Sequence, residues 1–197
     1  MRRSVGLVVV RVTRSRSVVL VEGASDRHAL ETLAQRRGRD LDAEGVAIVA
    51  MDGATNIRRH LERFGPNGAG ARVAGLYDVG EEDDFRRGLE QAGFGHSFTR
   101  ADMEALGFYA CVVDLEDELI RALGPSEVEA VIAAEGELRM LRTLQKQAVQ
   151  RDRTVEQQLR RFMGSKSGRK FRYARLLVEA LDLGRVPRPL DRVLAAL

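Results

Sequence analysis

Cysteine and long apolar runs are scarce in this sequence. The single cysteine, Cys111, rules out an intrachain disulfide and a cysteine-based metal site, and its apolar surroundings predict a small core residue. The longest apolar run near the start, Leu7 to Val10, is followed at once by Arg11. It is far shorter than a membrane span and poor as a signal sequence. We therefore predict a cytoplasmic protein without a membrane segment.

Several familiar catalytic patterns are also missing. The three histidines, His28, His60 and His96, are widely spaced, so a zinc site is not expected. No G-x-S-x-G or cysteine–histidine pattern argues for acyl transfer. The segment from Gly164 to Lys170 lacks the full spacing of a P-loop, so we do not expect it to bind a nucleotide.

The charges are unevenly distributed. Residues 78–137 contain 4 basic and 16 acidic side chains, whereas residues 138–197 contain 15 basic and 5 acidic ones. An acidic middle and a basic tail suit a metal site beside a surface that binds a polyanion. Lysine is rare among the basic residues, however, and mutational bias in a GC-rich genome could produce so many arginines. The alternative is therefore a basic tail that is merely solvated.

Four short apolar runs alternate with helical patterns, which predicts an α/β fold with a mostly parallel sheet flanked by helices. The predicted strands are 17–22, 46–51, 73–77 and 107–113, and the acids at their ends are Glu22, Asp52, Asp78 and Asp114. Predicted helices cover about 25–37, 55–64, 85–92, 126–149, 154–163 and 168–183, with a closing segment at 187–197, and Ser25 or Asp26 is expected to cap the first of them. We divide the chain into an α/β catalytic core, 1–124, and a basic C-terminal helical extension, 125–197, that completes the site.

Carboxylates at the carboxyl ends of parallel strands meet at one edge of the sheet, where ligands bind in such folds. Several acids placed close together cannot all stay ionised without a compensating cation. Mg²⁺, or Mn²⁺ in its place, prefers oxygen ligands, and two such ions roughly 3.5 to 4 Å apart can promote displacement at phosphorus. The alternative is a mixture of helix caps and solvated acids.

Five segments, within residues 17–183, resemble motifs of Toprim domains, in particular those of the overcoming-lysogenization-defect (OLD) nucleases. The first combines a hydrophobic strand, Glu-Gly, and an acid four residues after the glutamate. The others resemble the glycine turn, the second acidic strand end, the acidic segment that OLD nucleases add, and their lysine-bearing segment. In chain order the five are Val18 to Asp26, Asp52 to Ile57, Gly75 to Asp78, Asp114 to Leu119, and Gly164 to Lys170 running into Tyr173 and Ala174.

The resemblance implies a role for each acid of these motifs. Glu22 would be a metal ligand or general acid/base, and Asp26, Asp78 and Glu116 would be further carboxylates of the metal site. Asp114 could serve instead of Glu116. The alternatives are a solvated strand-end acid at Glu22 and Asp78, and a helix N-terminal acid at the other three positions.

The lysine-bearing segment offers two candidates for a catalytic cation. Lys166 or Lys170 would stabilise charge that develops on the transferred phosphate. The sequence does not choose between them, and a solvated basic loop is the alternative.

One departure from the family pattern concerns the second strand end. Toprim domains usually have Asp-x-Asp there, whereas this chain has Asp78 followed by Val79 and Gly80. A side chain from the acidic stretch that follows, Glu81, Glu82 or Asp83, would have to fill the gap. Otherwise one metal would be held more weakly, which leaves open whether one or two ions act.

Taken together, the resemblance implies a Mg²⁺-dependent endonuclease that cleaves DNA phosphodiester bonds. Arginines of the basic C-terminal tail would bind the DNA backbone. OLD nucleases join an ATPase to their Toprim half. This sequence has no P-loop, so we expect a stand-alone nuclease or one with a separate ATPase partner. The alternatives are an RNA-processing or nucleotidyl-transfer Toprim enzyme, and a non-catalytic nucleic-acid-binding module.

Overall fold

Four strands form one parallel sheet at the centre of the computed structural model, which describes residues 15–197. The apolar run Leu7 to Val10 lies outside these residues. The strand order is β2-β1-β3-β4, and every neighbouring pair is parallel. The strands are β1 (Ser17–Val21), β2 (Val46–Ala50), β3 (Arg72–Asp78) and β4 (Phe108–Cys111).

Helices cover both faces of the sheet. In chain order they are α1 (Ala24–Arg36), α2 (Leu41–Glu44), α3 (Ile57–Phe64), α4 (Glu82–Gln91), α5 (Arg100–Ala105), α6 (Leu115–Leu123), α7 (Pro125–Ala134), α8 (Leu138–Gln145), α9 (Val155–Met163), α10 (Arg169–Ala180) and α11 (Arg188–Ala195). Within residues 15–197, none of them has the length and apolar character needed to cross a bilayer.

Two hydrophobic cores form because strand side chains point alternately to opposite faces. Val19 and Val21 of β1 face a core shared with α1 and with helices from α6 to α11. Val18 and Leu20 face the other core, built with α3, α4 and α5. Burial on both faces explains why the central strands are continuous apolar runs.

The C-terminal helices share the first of these cores with the sheet. Helix α10 packs along α1, and the Arg36 guanidinium donates hydrogen bonds to the carbonyl oxygens of Val178 and Leu181 at 2.8 and 2.6 Å. A buried ion pair between Arg169 and Glu137 ties the start of α10 to the start of α8. Helix α10 is therefore fastened both to α1 and to α8.

The structure confirms the predicted α/β class, the parallel sheet and the C-terminal helical extension. The single helix expected over 126–149 was wrong: the chain breaks after α7 at Gly136, which has φ of 71°. The short helices α2, α5 and α6 were not predicted. Helix α1 begins behind Gly23, whereas Ser25 or Asp26 was the expected cap. Cys111 is buried, as expected.

Candidate active site

Three acids lie just beyond or at the carboxyl ends of neighbouring strands. Glu22 follows β1, Asp78 ends β3, and Asp114 follows β4 after a two-residue loop. Because β1 and β3 are paired in parallel at the middle of the sheet, these ends lie at one edge. Asp52 is different: it is exposed beyond the outer strand β2 and has a left-handed backbone with φ of 58°.

Asp78 lies at the centre of the acidic group. Burial, followed by the charges of Asp26, Asp114, Glu22 and Glu81 in that order of strength, raises its pKa to about 8. Five carboxyl groups therefore lie close enough to act on one another. Such a group either keeps at least one of its acids protonated or binds a cation that compensates the negative charge.

Glu81 is the acid that faces the gap left by Gly80. It ends a short 3₁₀ turn after Asp78, and its carboxyl group lies close to that of Glu22. Burial and this contact with Glu22 raise its pKa to about 7. A Cβ atom added at Gly80 would meet no other atom within 4 Å, so there is space for a side chain at this position.

The other two acids proposed for this gap are engaged elsewhere. Glu82 forms ion pairs with Arg86 at 2.8 Å and with Arg100 at 2.5 Å. Asp83 is 76% exposed and pairs with Arg86 at 2.7 Å. Of the three candidates, the structure therefore brings Glu81 alone to the acidic edge.

Asp26 belongs both to a helix start and to the acidic group. Its carboxylate accepts a hydrogen bond from the backbone N–H of Gly23 at 2.9 Å, which closes the first turn of α1. Burial raises its pKa, while the Gly23 hydrogen bond and the charge of Lys170 lower it. The cap and the site position are compatible, because a carboxylate has two oxygens.

Asp114 likewise combines two contacts. One oxygen caps α6 by accepting from the Asp117 N–H at 2.9 Å, and the other accepts from Arg160 Nε at 2.6 Å. One oxygen of Asp114 therefore acts as the helix cap, as the alternative interpretation expected, and the other oxygen connects α9 to the acidic edge through Arg160.

Glu116 is the most buried acid of the group, with 2% of its surface exposed. Lys170 Nζ lies 3.0 Å from its Oε2, and apart from this ion pair neither carboxylate oxygen has a hydrogen-bond partner among residues 15–197. Burial raises the pKa of Glu116 to about 7, although Lys170 opposes the shift. Burial alone would lower the pKa of Lys170, but Glu116, Asp26 and Asp114 raise it above its ordinary value.

The two candidate lysines lie in different places. Lys170 is in the first turn of α10 and reaches the acidic edge. Lys166 is exposed in the loop before that helix, beside a separate depression lined by Glu137, Arg169 and Arg172. The structure therefore brings Lys170, and not Lys166, to the carboxylates.

A cleft of about 460 Å³ opens beside this edge. One wall carries acids of the site, and the opposite wall is one face of α9 with the residues that flank the helix. Its lining residues are Asp114, Glu116, Arg153, Gln157, Arg160, Arg161, Gly164 and Lys170. The sequence indicated a basic tail but not which arginines meet the acids, since that depends on how α9 packs against α6.

The donors at the acidic edge fit a hard divalent cation, because all of them are carboxylate oxygens. Glu81 Oε2 is buried without a hydrogen-bond partner in the described residues, as are both oxygens of Glu116 apart from the ion pair. A cation would satisfy such oxygens. In residues 15–197, however, no three acidic, histidine or cysteine side chains are already grouped tightly enough to hold an ion. A metal here would complete its coordination with water or with substrate oxygens.

Comparison with known proteins supports the resemblance seen in the motifs. Residues 15–79 match the family model described as overcoming lysogenization defect protein-like, TOPRIM domain. No curated protein matches the chain in sequence.

Two solved structures share the fold over nearly the whole chain. The C-terminal region of the OLD protein of Xanthomonas campestris pv. campestris has a TM-score of 0.71 and 26% identity, covering 94% of this chain and 93% of that one. The C-terminal region of the Burkholderia pseudomallei OLD protein has a TM-score of 0.71 and 20% identity, covering 92% and 96%. Residues 15–79 thus resemble the Toprim domain of OLD-like proteins, and the chain as a whole resembles the C-terminal region of OLD proteins, as predicted.

Proposed function

We propose that this chain, whose Toprim domain resembles that of OLD proteins, is a Mg²⁺-dependent endonuclease that cleaves DNA phosphodiester bonds. The observation that supports it most is the acidic group around Asp78, with Lys170 facing it across the same edge. Such a concentration of acids can be fully ionised at neutral pH only when cations compensate the charge. A metal ion would supply the positive charge that the acids need, and the negative phosphodiester would be attracted to that ion and to Lys170.

The acids divide into two groups around this centre. Glu22, Asp78 and Glu81 would hold the ion at the β1–β3 side, with Glu81 in place of the missing second aspartate. Asp26 and Glu116, with Asp114 beside them, would complete the site on the side of α6. A bound Mg²⁺ or Mn²⁺ would supply an activated water and neutralise phosphate charge. Glu22 would also accept a proton, as general base.

Lys170 would stabilise the charge that develops on the phosphate oxygens. Its ammonium group is held beside Glu116, and about half of the side chain is exposed to the cleft. A positioned cation in a partly dry site stabilises a transition state more than one in bulk water does. Lys166 has no part in this proposal.

We further infer that the protein acts in the cytoplasm, either alone or with a separate ATPase partner, since the OLD nucleases whose motifs it resembles carry an ATPase beside their Toprim half. Pull-down of the tagged protein from its own cells, followed by identification of an ATPase, would support the partner. Recovery of full nuclease activity by the isolated chain would contradict the need for a partner.

The direct test is cleavage of supercoiled plasmid in Mg²⁺, Mn²⁺ or chelator. We expect nicking that requires metal and is lost in the Glu22→Gln, Asp78→Asn double variant. The matched control is Glu62→Gln, Glu179→Gln, which also removes two negative charges but at exposed ion pairs with Arg58 and Arg175. Nicking that persists in the site variant would contradict the proposal. Cleavage of RNA but not of plasmid would replace DNA by RNA as the substrate.

A further inference from the structure

One face of α9 forms a continuous polar wall in the cleft. Gln157, Arg160, Arg161 and Gly164 all line it, and their spacing of three, one and three residues places them on one side of a helix. Arg153, just before the helix begins, extends the same wall. The opposite side of α9 is apolar and lies in the core.

The length of this wall matches several nucleotides. The helical part of this wall, from Val155 to the C-cap Gly164, advances nine residues, which corresponds to roughly 13 Å at about 1.5 Å per residue, and Arg153 lies beyond its start. Successive phosphates of one strand advance about 3.4 Å along a duplex axis, so the helical part of the wall spans about four phosphates of such a strand. A single ion or a mononucleotide would occupy only part of it.

The arginines of the wall fall into two types. Arg160 is fixed by its bond to Asp114 at 2.6 Å and so holds the helix against the acidic edge. Arg153 and Arg161 are exposed, and neither forms an ion pair with an acid of residues 15–197. Arg153 has only a long 3.4 Å contact to the Gln150 amide oxygen. Within the described part of the chain, these two arginines are therefore cations of the cleft that no acid neutralises.

We propose that this face of α9 is the track for the substrate strand, with Arg153 and Arg161 contacting backbone phosphates and guiding the strand to Glu116 and Lys170. The proposal rests on the proposed nuclease function and names the surface that would hold its substrate. Arginine binds phosphate oxygens through its planar fork of N–H donors. Because phosphates carry no base information, the track predicts binding without sequence preference.

The test measures DNA binding without cleavage. Fluorescence anisotropy of a labelled single-stranded 20-mer in chelator gives the affinity at a series of salt concentrations. For single strands, each phosphate contact contributes about 0.7 to the slope of log affinity against log salt. We expect Arg153→Gln, Arg161→Gln to reduce that slope by about 1.4 and to weaken binding at low salt by roughly 10-fold or more.

Two matched variants separate position from net charge. Arg59→Gln, Arg63→Gln removes the same charge from exposed positions of α3, on the other face of the sheet, and should leave the slope unchanged. Arg153→Lys, Arg161→Lys keeps the charge and should retain most of the slope. Thermal unfolding of each variant verifies the fold.

The outcomes for the track and for the nuclease are distinct. An unchanged slope in the Arg153, Arg161 variant, or an equal loss in the α3 control, would overturn the track even if plasmid cleavage is metal-dependent. Binding that depends on Arg153 and Arg161 without any cleavage would overturn the nuclease function and leave the track in place. An equal loss with an RNA 20-mer would show that the track accepts either backbone.

Discussion

Lys170 Nζ lies 3.0 Å from Glu116 Oε2, and this ion pair, which lines the cleft, connects the first turn of α10 to the first turn of α6. Glu116 is buried, so removing its partner would leave an uncompensated acid in a dry position. In this pair, Glu116 holds the ammonium group of Lys170 in position, and Lys170 favours the ionised form of Glu116. It also distinguishes Lys170 from Lys166.

Replacing Lys170 with methionine should reduce metal-dependent nicking by about 10²-fold, because a charge-stabilising group of this kind is worth that much in a dry site. Lys166→Met should leave nicking unchanged, since Lys166 is in an exposed loop away from the acids. Initial rates on plasmid at saturating Mg²⁺ would check both. Equal losses in the two variants would indicate a general effect of basic charge.

The metal-free protein should lose stability as the pH rises from about 5 to about 8. Asp78, with a pKa of about 8, and Glu81 and Glu116, with pKa values of about 7, all hold protons that the unfolded chain has already released. Stability therefore falls as these groups ionise in the folded state. Thermal unfolding in chelator across this range is the measurement.

Mg²⁺ should reverse this loss, because a metal binds carboxylates in their ionised form. The rise in unfolding temperature on adding Mg²⁺ should be larger at pH 8 than at pH 6. Asp78→Asn should flatten the pH dependence in chelator and remove most of the Mg²⁺ effect. A Mg²⁺ effect of the same size in Asp78→Asn would place the ion elsewhere.

Glu81→Gln should weaken metal binding, since it removes the acid that fills the gap beside Glu22. Binding of Mn²⁺, followed by electron paramagnetic resonance, measures this without relying on activity. Adding Gly80→Asp to that variant should restore binding, because a side chain at position 80 meets open space. Asp83→Asn is the control, as Asp83 is exposed and paired with Arg86. Weaker binding in Asp83→Asn, or no effect of Glu81→Gln, would show that a different acid completes the site.

Asp114→Asn should preserve the fold, because asparagine caps helices about as well as aspartate does, whereas Asp114→Ala should destabilise by about 1 kcal/mol. Both variants lose the charged partner of Arg160. Urea unfolding separates them, and plasmid nicking shows whether the second oxygen matters. Nicking equal to wild type in Asp114→Asn would restrict Asp114 to capping.

The sheet and its acidic edge could be predicted because the local pattern is strong. Glu22 and Asp78 each stand at the end of a β-branched or apolar run, and strands that alternate with helices place such ends together. Such a placement requires no knowledge of side-chain packing. The acids of α6, Asp114 and Glu116, could also be predicted from the family motif, although the helix itself was not.

Features that depend on packing could not be predicted. Lys166 and Lys170 are four residues apart, and only the start of α10 at Arg169 decides which one points to the acids. Likewise, Glu81, Glu82 and Asp83 are equivalent in sequence, and their arginine partners decide which remains available. The α9 wall is invisible until that helix is placed against α6.

Because α10 packs against α1 but is translated much later, the active-site acids are produced before the helix that covers α1. A ribosome that has released residues 1–124 has already produced Glu22, Asp78 and Glu116, but neither Lys170 nor the helix that covers α1. The unfinished polypeptide therefore carries the acids without their cation and without part of its core. Under the proposed function, the complete active site therefore cannot form next to the messenger RNA on the ribosome until α10 has also been translated.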